Sequence, residues 1–300
     1  MILVTGASGF IGKHLLAALV KQYGSHNIIA LTSFPIKECR YLLHNNYSFD
    51  SDYLLSSGYD AIHTVIHAGA FTPKNTAEIN HVRGCTSNIV NTLNLLRLDL
   101  PSLKKFIFLS TLDVYGGDEC ITESTSVLPI SLYGQSKLYC EKMIEAWGLT
   151  TQVSVQVLRV GHIYGPGEEA YQKLIPLLFR KLLKNQPIQV YGSGEEKRTF
   201  LFIDDLVNAI CRAVQLKNKP EVINLVGGRP VTVKELLNML IKVSGKQATI
   251  EHVPSAGSPR NLVFDNSKMK RELTGEKVDL ESGLKMEWSY LKKLSDENLL

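Results

Sequence analysis

Three glycines near the start, Gly6, Gly9 and Gly12, lie between a short apolar run and a helical repeat, and this placement restricts the N-terminal half to few folds. Ile2 to Val4 reads as a buried parallel strand. From Phe10 the apolar residues Ile11, Leu15, Leu16, Leu19 and Val20 recur at helical spacing. The glycines therefore occupy a strand-to-helix turn. Such a turn aims free backbone N–H groups and the positive end of a helix at the space above it, where a dinucleotide pyrophosphate fits. A Cβ would block the tight turn and the close approach of ligand and helix. The spacing is G-x-x-G-x-x-G, and its position between strand and helix gives it weight that a glycine trio in a loop lacks.

Strand and helix patterns alternate up to about residue 160. Asn27 to Leu31 is a second strand, Tyr47 to Phe49 a short third and Thr64 to Ala68 a fourth. A helical stretch runs from about Ala77 to Leu98, Lys105 to Ser110 is a fifth strand, a helix covers Leu132 to Trp147, and Val153 to Arg159 is a sixth strand. This order predicts an α/β fold with a Rossmann-like, doubly wound parallel sheet, in which ligands bind beyond the carboxyl ends of the strands. After Gly161-His-Ile-Tyr-Gly-Pro-Gly167 the helices shorten and Gly and Pro become more frequent, with isolated strands at Ile188 to Tyr191 and Val222 to Leu225. Thr232 and Glu235 form a capping box that opens an apolar helix at Leu236. The expected division is a dinucleotide-binding domain over 1–165 and a smaller C-terminal substrate-binding α/β lobe over 166–300, with some segments free to return to the main sheet.

Composition excludes several classes. Hydrophobic residues make up 44% and charged residues 21%, as in ordinary soluble proteins, and the net charge of +4 comes from scattered bases. That pattern makes no case for nucleic acid or a membrane surface. The five cysteines lack C-x-x-C spacing, which predicts neither a disulfide framework nor a metal site and fits a reducing compartment. No apolar run approaches membrane-spanning length, and a strand starting at Met1 leaves no room for a signal peptide. The expectation is a soluble, cytoplasmic protein.

The fifth strand ends in Ser110-Thr111, so two hydroxyls stand at the ligand-facing edge. The next helix carries Tyr133-Gly-Gln-Ser-Lys137, and positions i and i+4 share one helical face. A phenol titrates near pH 10 and is a poor base at neutrality, but a nearby cation favours the phenolate. Tyr133 and Lys137 therefore predict proton exchange beside a nicotinamide cofactor, with Lys137 also within reach of a ribose and Thr111 holding a substrate oxygen. Y-x-x-x-K occurs once among the 12 tyrosines, on the helix after the hydroxyl-bearing strand.

Over essentially its whole length the chain resembles an extended short-chain dehydrogenase/reductase of the nucleotide-sugar epimerase/dehydratase group. The matching segments are Thr5-Gly-Ala-Ser-Gly-Phe-Ile-Gly12, Val65-Ile-His-Ala-Gly-Ala70, Ser110-Thr-Leu-Asp-Val-Tyr-Gly116 and Tyr133-Gly-Gln-Ser-Lys137. Later segments are Leu158-Arg-Val-Gly-His-Ile-Tyr-Gly-Pro-Gly167, Gly192 to Asp205 and Asp265-Asn-Ser-Lys268. The resemblance implies Tyr133 as acid/base, Lys137 as its partner and Thr111 as the orienting hydroxyl. It implies cofactor contacts from Gly6, Ser8, Gly9, Phe10, Ile11, Gly12, Thr32, Ser33, Asp50 and Ala68, and substrate contacts from Thr72, His162 and Arg198. Arg198 would meet the substrate's phosphates. Asp204 and Asp205 read as a helix cap rather than as ligands. A homodimer through the helices near Ala77 to Leu98 and Leu132 to Trp147 is a further implication.

Departures from the family pattern narrow the chemistry. The second strand ends Ala30-Leu-Thr32-Ser33 without the carboxylate that binds the 2′-hydroxyl of NAD, and Lys37 and Arg40 follow. The cofactor is therefore NAD or NADP, with a slight lean to NADP. Leu112 stands where family dehydratases carry an acid after the threonine, which disfavours water elimination. His162 replaces the asparagine of many epimerases and is similar to the histidine of 4-ketoreductases. Ser255 stands where epimerases place a phosphate-binding arginine, with Arg260 a nearby substitute. The resulting expectation is an oxidoreductase that moves hydride at C4 of a nucleotide-activated sugar, foremost as an epimerase. The alternatives are an NADPH-dependent 4-keto-6-deoxy-sugar reductase and a non-catalytic NADP-sensing protein.

Overall fold

Ile2–Thr5 forms β1, and all four residues are buried, as a strand covered on both faces requires. The computed structural model of the protein describes residues 1–44, 46–49, 59–116, 120–216, 221–254 and 261–300. Around β1 lie β2 (Ile28–Thr32), β3 (Arg40–Leu43), β4 (Thr64–His67), β5 (Lys105–Thr111), β6 (Ser154–Val160) and β10 (Glu221–Leu225). Among the described residues the sheet runs β10-β6-β5-β4-β1-β2-β3, every neighbouring pair parallel. The chain winds outward from β1 to β3 and then resumes at β4 on the other side of β1. That reversal opens a crevice at the carboxyl ends of β1 and β4.

Helices cover both faces. α1 (Phe10–Tyr23) and α5 (Ile203–Gln215) pack together on one, through Leu15, Leu19, Leu206 and Ile210. On the other, α2 (Val82–Leu96) and α3 (Leu132–Thr151) contribute Leu95, Leu96, Cys140 and Ile144 to a second core. Lys105 is buried at the start of β5, and its ammonium donates to the carbonyls of Ala213 (3.1 Å), Val214 (2.9 Å) and Leu216 (2.5 Å). A cation on the last carbonyls of a helix satisfies groups that have no intrahelical partner, and here it ties α5 to the sheet.

The remaining elements gather beyond β6. β7 (His162–Tyr164), β9 (Lys197–Phe202) and β11 (Pro230–Thr232) form a three-stranded sheet, while β8 (Ile188–Tyr191) pairs with β12 (Ile250–Val253). They pack with α4 (Leu174–Leu183), α6 (Val233–Ser244), α7 (Ser267–Glu272) and α8 (Leu280–Asp296). The capping box stands as expected: Glu235 N donates to Thr232 Oγ1 at 3.0 Å and Thr232 N to Glu235 Oε2 at 2.8 Å. No helix among the described residues is long and apolar enough to cross a membrane.

Four expectations need correction. The third strand is Arg40–Leu43, whereas Tyr47 sits in a turn at φ +57° with its ring buried. Val222 to Leu225 is not an isolated strand of the second half but part of β10, hydrogen-bonded to β6 in the main sheet. The helix expected from Ala77 begins at Val82, because a short 3₁₀ turn at Thr76–Glu78 precedes it. Asp204 and Asp205 do not cap α5, whose N-cap is Phe202; they lie in its first turn. Asp205 is buried and accepts hydrogen bonds from the backbone N–H groups of Lys277 (3.1 Å) and Val278 (3.0 Å).

Candidate active site

The first turn is built for close approach. Gly6 adopts φ +70°, and a Cβ there would come within 2.5 Å of Gly69 Cα at the end of β4. A Cβ on Gly12 would overlap the Gly6 carbonyl oxygen, so α1 can start this close to β1 only with glycine. Gly9, the N-cap of α1, offers no side-chain cap, and the helix's first turn holds no acid. Thr5 Oγ1 accepts from Gly69 N at 2.9 Å and lies 2.8 Å from His67 Nδ1, whose Nε2 is 3.0 Å from Thr92 Oγ1. Burial pushes the His67 imidazole down to about 3, with the Lys137 charge adding to it, so this clamp is neutral at physiological pH. Asn88 on α2 brackets Phe71 with bonds of 2.7 Å from Phe71 N and 3.1 Å to Phe71 O, setting the loop that carries Thr72. The sequence assigned no role to Thr5, His67 or Asn88, although Thr5 and His67 lie in the segments that carry the family resemblance.

Beside this turn lies a cavity of about 460 Å³. Ile11, Ala68, Thr72, Thr111, Tyr133, Lys137, His162 and Arg198 all line it. Helix α3 aims Tyr133 and Lys137 inward, with Ser131 capping it by accepting from Gly134 N at 3.0 Å. Lys137 Nζ donates to the Leu109 carbonyl at 2.6 Å and stands 4.1 Å above the Phe108 ring. Burial lowers its pKa to about 8, partly offset by Cys140 and Glu141. Tyr133 is shifted upward in the free protein. Burial and then the Asp113 charge raise its pKa, while Thr72 and Thr111 oppose them, and Lys137 is not among the causes. The ammonium is turned to the Leu109 carbonyl, and in the free protein burial and the Asp113 charge keep the Tyr133 phenol protonated. Thr111 caps the turn after β5, donating to Asp113 Oδ2 at 3.1 Å and accepting from Asp113 N at 3.2 Å.

Comparison with known proteins agrees with this geometry. The family model for the NAD dependent epimerase/dehydratase family matches residues 2–226. The chain belongs to the NAD-dependent epimerase/dehydratase family. Among its relatives is the protein named uncharacterized UDP-glucose epimerase YtcB of Bacillus subtilis (strain 168), 29% identical over 98% of each chain. The crystal structure of UDP-glucuronic acid 4-epimerase from Bacillus cereus with UDP-glucuronic acid and NAD superposes with a TM-score of 0.85 at 29% identity, covering 98% of this chain and 99% of that one. UDP-glucose 4-epimerase from Thermotoga maritima, solved with UDP-glucose, gives 0.84 at 26% identity, again over 98% and 99% of the two chains.

A dinucleotide of the kind this family uses fits the residues present. Gly6 and Gly12 have no Cβ where α1 passes closest to β1, and Gly9 is exposed at the lip of the turn. Ser8 and Phe10 flank that lip, outside the cavity that Ile11 enters. At the end of β2, Thr32 is buried and spends its hydroxyl on its own turn, donating to Phe34 O at 3.0 Å; Ser33 is exposed. Arg40 lies on β3, its guanidinium 5.9 Å from the centre of the Tyr59 ring. Asp50, Ser255 and Arg260 lie outside the described residues. His162 lines the cavity with its Nδ1 unbonded, and burial, then Arg198 and Lys173, push it down to about 4. Arg198 Nη1 donates to its neighbour's carbonyl, Lys197 O, at 2.8 Å.

Two further acids stand at the cavity's back. Glu168 lines it and Glu287 projects from α8; both are fully buried without a side-chain hydrogen bond, and only the Lys173 charge and the Gly165 backbone favour the Glu168 carboxylate. Burial raises Glu168 to about 7 and Glu287 to about 9, the charges of Glu168 and then Glu169 adding to the rise at Glu287. Unfolded, Glu287 releases its proton near 4.5, so between there and about 9 the folded state binds the extra proton. Stability contributed by this group therefore falls as pH rises through that window. Glu287→Gln is expected to be more stable than the parent by a margin that grows by roughly 1 kcal/mol per pH unit between about pH 5 and 9. Urea denaturation at several pH values checks this; a margin constant with pH would contradict it.

Proposed function

We propose that the protein is a nucleotide-sugar 4-epimerase. The observation that carries this reading is the convergence of Tyr133, Thr111 and Lys137 on one cavity that also holds Arg198 and His162. When bound, NAD supplies the hydride exchange at the sugar carbon. Tyr133 moves the proton of the reacting hydroxyl, Thr111 orients that oxygen, and Lys137, held by Leu109 O, meets the ribose. Arg198 meets the diphosphate, and the elements after residue 165, apart from α5 and β10 on the main sheet, form the substrate-binding lobe. Relatives named for UDP-glucose and UDP-glucuronic acid support a UDP-sugar as substrate. NAD is the cofactor of this reading, as in the solved relatives; the β2 end without a carboxylate is what would admit NADP. Val82, Val90, Tyr139 and Leu149, exposed on α2 and α3, support a homodimer through those helices.

A second reading, reduction of a nucleotide-linked 4-keto sugar, is favoured by one observation: the unbonded His162 Nδ1 in the cavity wall. Incubating the purified protein with UDP-sugars and, separately, with a nucleotide-linked 4-keto sugar and NADPH separates the two. Epimerisation gives isomers with no net change in reduced-nicotinamide absorbance. Steady loss of that absorbance with the keto sugar, without isomers in the first arm, would replace the epimerase reading by the reductase. The nucleotide extracted from the purified protein identifies the cofactor.

A further inference from the structure

A second cavity, of about 90 Å³, adjoins the main one. Thr111, Asp113, Val160, Gly161 and His162 line both, so the two meet beside the hydroxyl that orients the reacting oxygen. Leu112, Ile121, Leu262 and Phe264 wall the side cavity further in. Backbone bonds fix that wall: Ile121 N donates to Val263 O at 3.0 Å and Asp265 N to Ile121 O at 2.9 Å. The Tyr115 hydroxyl, also at this cavity, accepts from Arg159 Nη1 at 2.7 Å and donates to Asn224 Oδ1 at 2.9 Å. Asp113 differs from these in being exposed, and a bond from Thr111 Oγ1 at 3.1 Å holds its carboxylate where the cavities meet. A carboxylate has about four acceptor sites, so one threonine does not exhaust it. A single water needs about 10–15 Å³, so this space exceeds what one hydroxyl fills.

We propose that the side cavity is a subsite for the hydroxymethyl group of a nucleotide-linked hexose, with Asp113 accepting a hydrogen bond from its hydroxyl. The inference rests on the epimerase reading, which puts the C4 oxygen at Thr111. Of the two carbons flanking C4, C3 carries only a hydroxyl, whereas C5 carries the CH₂OH that this volume suits. Leu112 and Ile121 cover the carbon of that group and Asp113 meets its oxygen. A pentose has nothing to place there and forgoes both contacts. A uronic acid places a carboxylate there, which cannot donate and carries the same charge as Asp113. Like charges held close repel, and a site that hydrogen-bonds a hydroxyl discriminates against ligands that cannot supply one.

Calorimetric titration of the protein loaded with NADH, which cannot take a hydride from the sugar, tests this with UDP-glucose, UDP-xylose and UDP-glucuronic acid. The parent is expected to bind UDP-glucose about ten-fold more tightly than either of the others. Leu262→Phe fills the side cavity and should weaken UDP-glucose about ten-fold while leaving UDP-xylose within about two-fold of the parent. Asp113→Ala should narrow the preference for UDP-glucose over UDP-glucuronic acid by about ten-fold. The proposal fails if the parent binds UDP-xylose as tightly as UDP-glucose or prefers the uronate. It also fails if Asp113→Ala shifts all three alike, which would make Asp113 a support for Thr111 only. Should Leu262→Phe not fold, the parent and Asp113→Ala decide. Turnover with NAD is scored separately. The expected ratios without interconversion remove the epimerase reading alone, interconversion with equal Kd values removes this proposal alone, and failure of all three sugars to bind removes both.

Discussion

Tyr133→Phe is expected to lower kcat by about 10²- to 10⁴-fold, the range for loss of a positioned acid/base group, while leaving NAD affinity essentially unchanged. The substitution removes one oxygen from a side chain that is only 7% exposed, so ring packing survives. What disappears is the hydroxyl that Thr72 and Thr111 approach. Burial and Asp113 keep this phenol protonated in the free protein, which fits it to deliver a proton to a developing alkoxide. The reverse step needs a phenolate, and in the free protein Lys137 is engaged elsewhere, at 2.6 Å from Leu109 O. Removing the hydroxyl should therefore stop both directions. Stopped-flow turnover with UDP-glucose and calorimetric titration with NAD check the two halves. Unchanged turnover would take Tyr133 out of the chemistry, and a parallel loss of NAD affinity would make its role structural.

The inner strands were legible because each is a continuous apolar run bounded by turn residues, which is what burial on both faces demands. β3 was not, because an edge strand is mostly exposed: of Arg40–Leu43 only Leu42 is buried, and the aromatic pair Tyr47 and Phe49 drew the assignment. The start of α2 was hidden by an uncommon cap, His81, whose Nδ1 accepts from Gly84 N at 3.1 Å. β10 joins the main sheet through partners on β6 that no local pattern announces. At the site, periodicity sufficed to put Tyr133 and Lys137 on one helical face beside Thr111. The acidity of the phenol was beyond it, since Asp113, the depth of burial and the orientation of the ammonium are set by the packed structure. The burial of Glu168 is equally a property of its neighbours, not of its spacing.

Removing Glu141 is expected to have the largest effect on stability. Its carboxylate is fully buried and binds Arg159 twice, from Nε to Oε1 at 3.1 Å and from Nη2 to Oε2 at 2.7 Å, and it accepts from Ser110 Oγ at 2.5 Å. Arg159 Nη1 also donates to Tyr115 OH at 2.7 Å, and Tyr115 OH to Asn224 Oδ1 at 2.9 Å, so α3, β5, β6 and β10 meet in one polar cluster. Glu141→Leu leaves a guanidinium in the interior with no counter-charge, and breaking one partner of such a pair costs about 3–5 kcal/mol. Glu141→Leu with Arg159→Met removes both charges and should recover most of that loss, since an apolar replacement of a buried pair is often neutral. Urea denaturation of the two variants checks this; a single variant within about 1 kcal/mol of the parent would show that Arg159 finds another partner. Activity carries a separate consequence. Glu141 lies one helical turn after Lys137, and Ser110 directly precedes Thr111, so the cluster fixes both the helix and the strand end that face the cavity. The double variant, though stable, lacks the bonds that set this register. It is expected to lose turnover by about ten-fold or more, because displacing reacting groups by even an ångström is costly to rate.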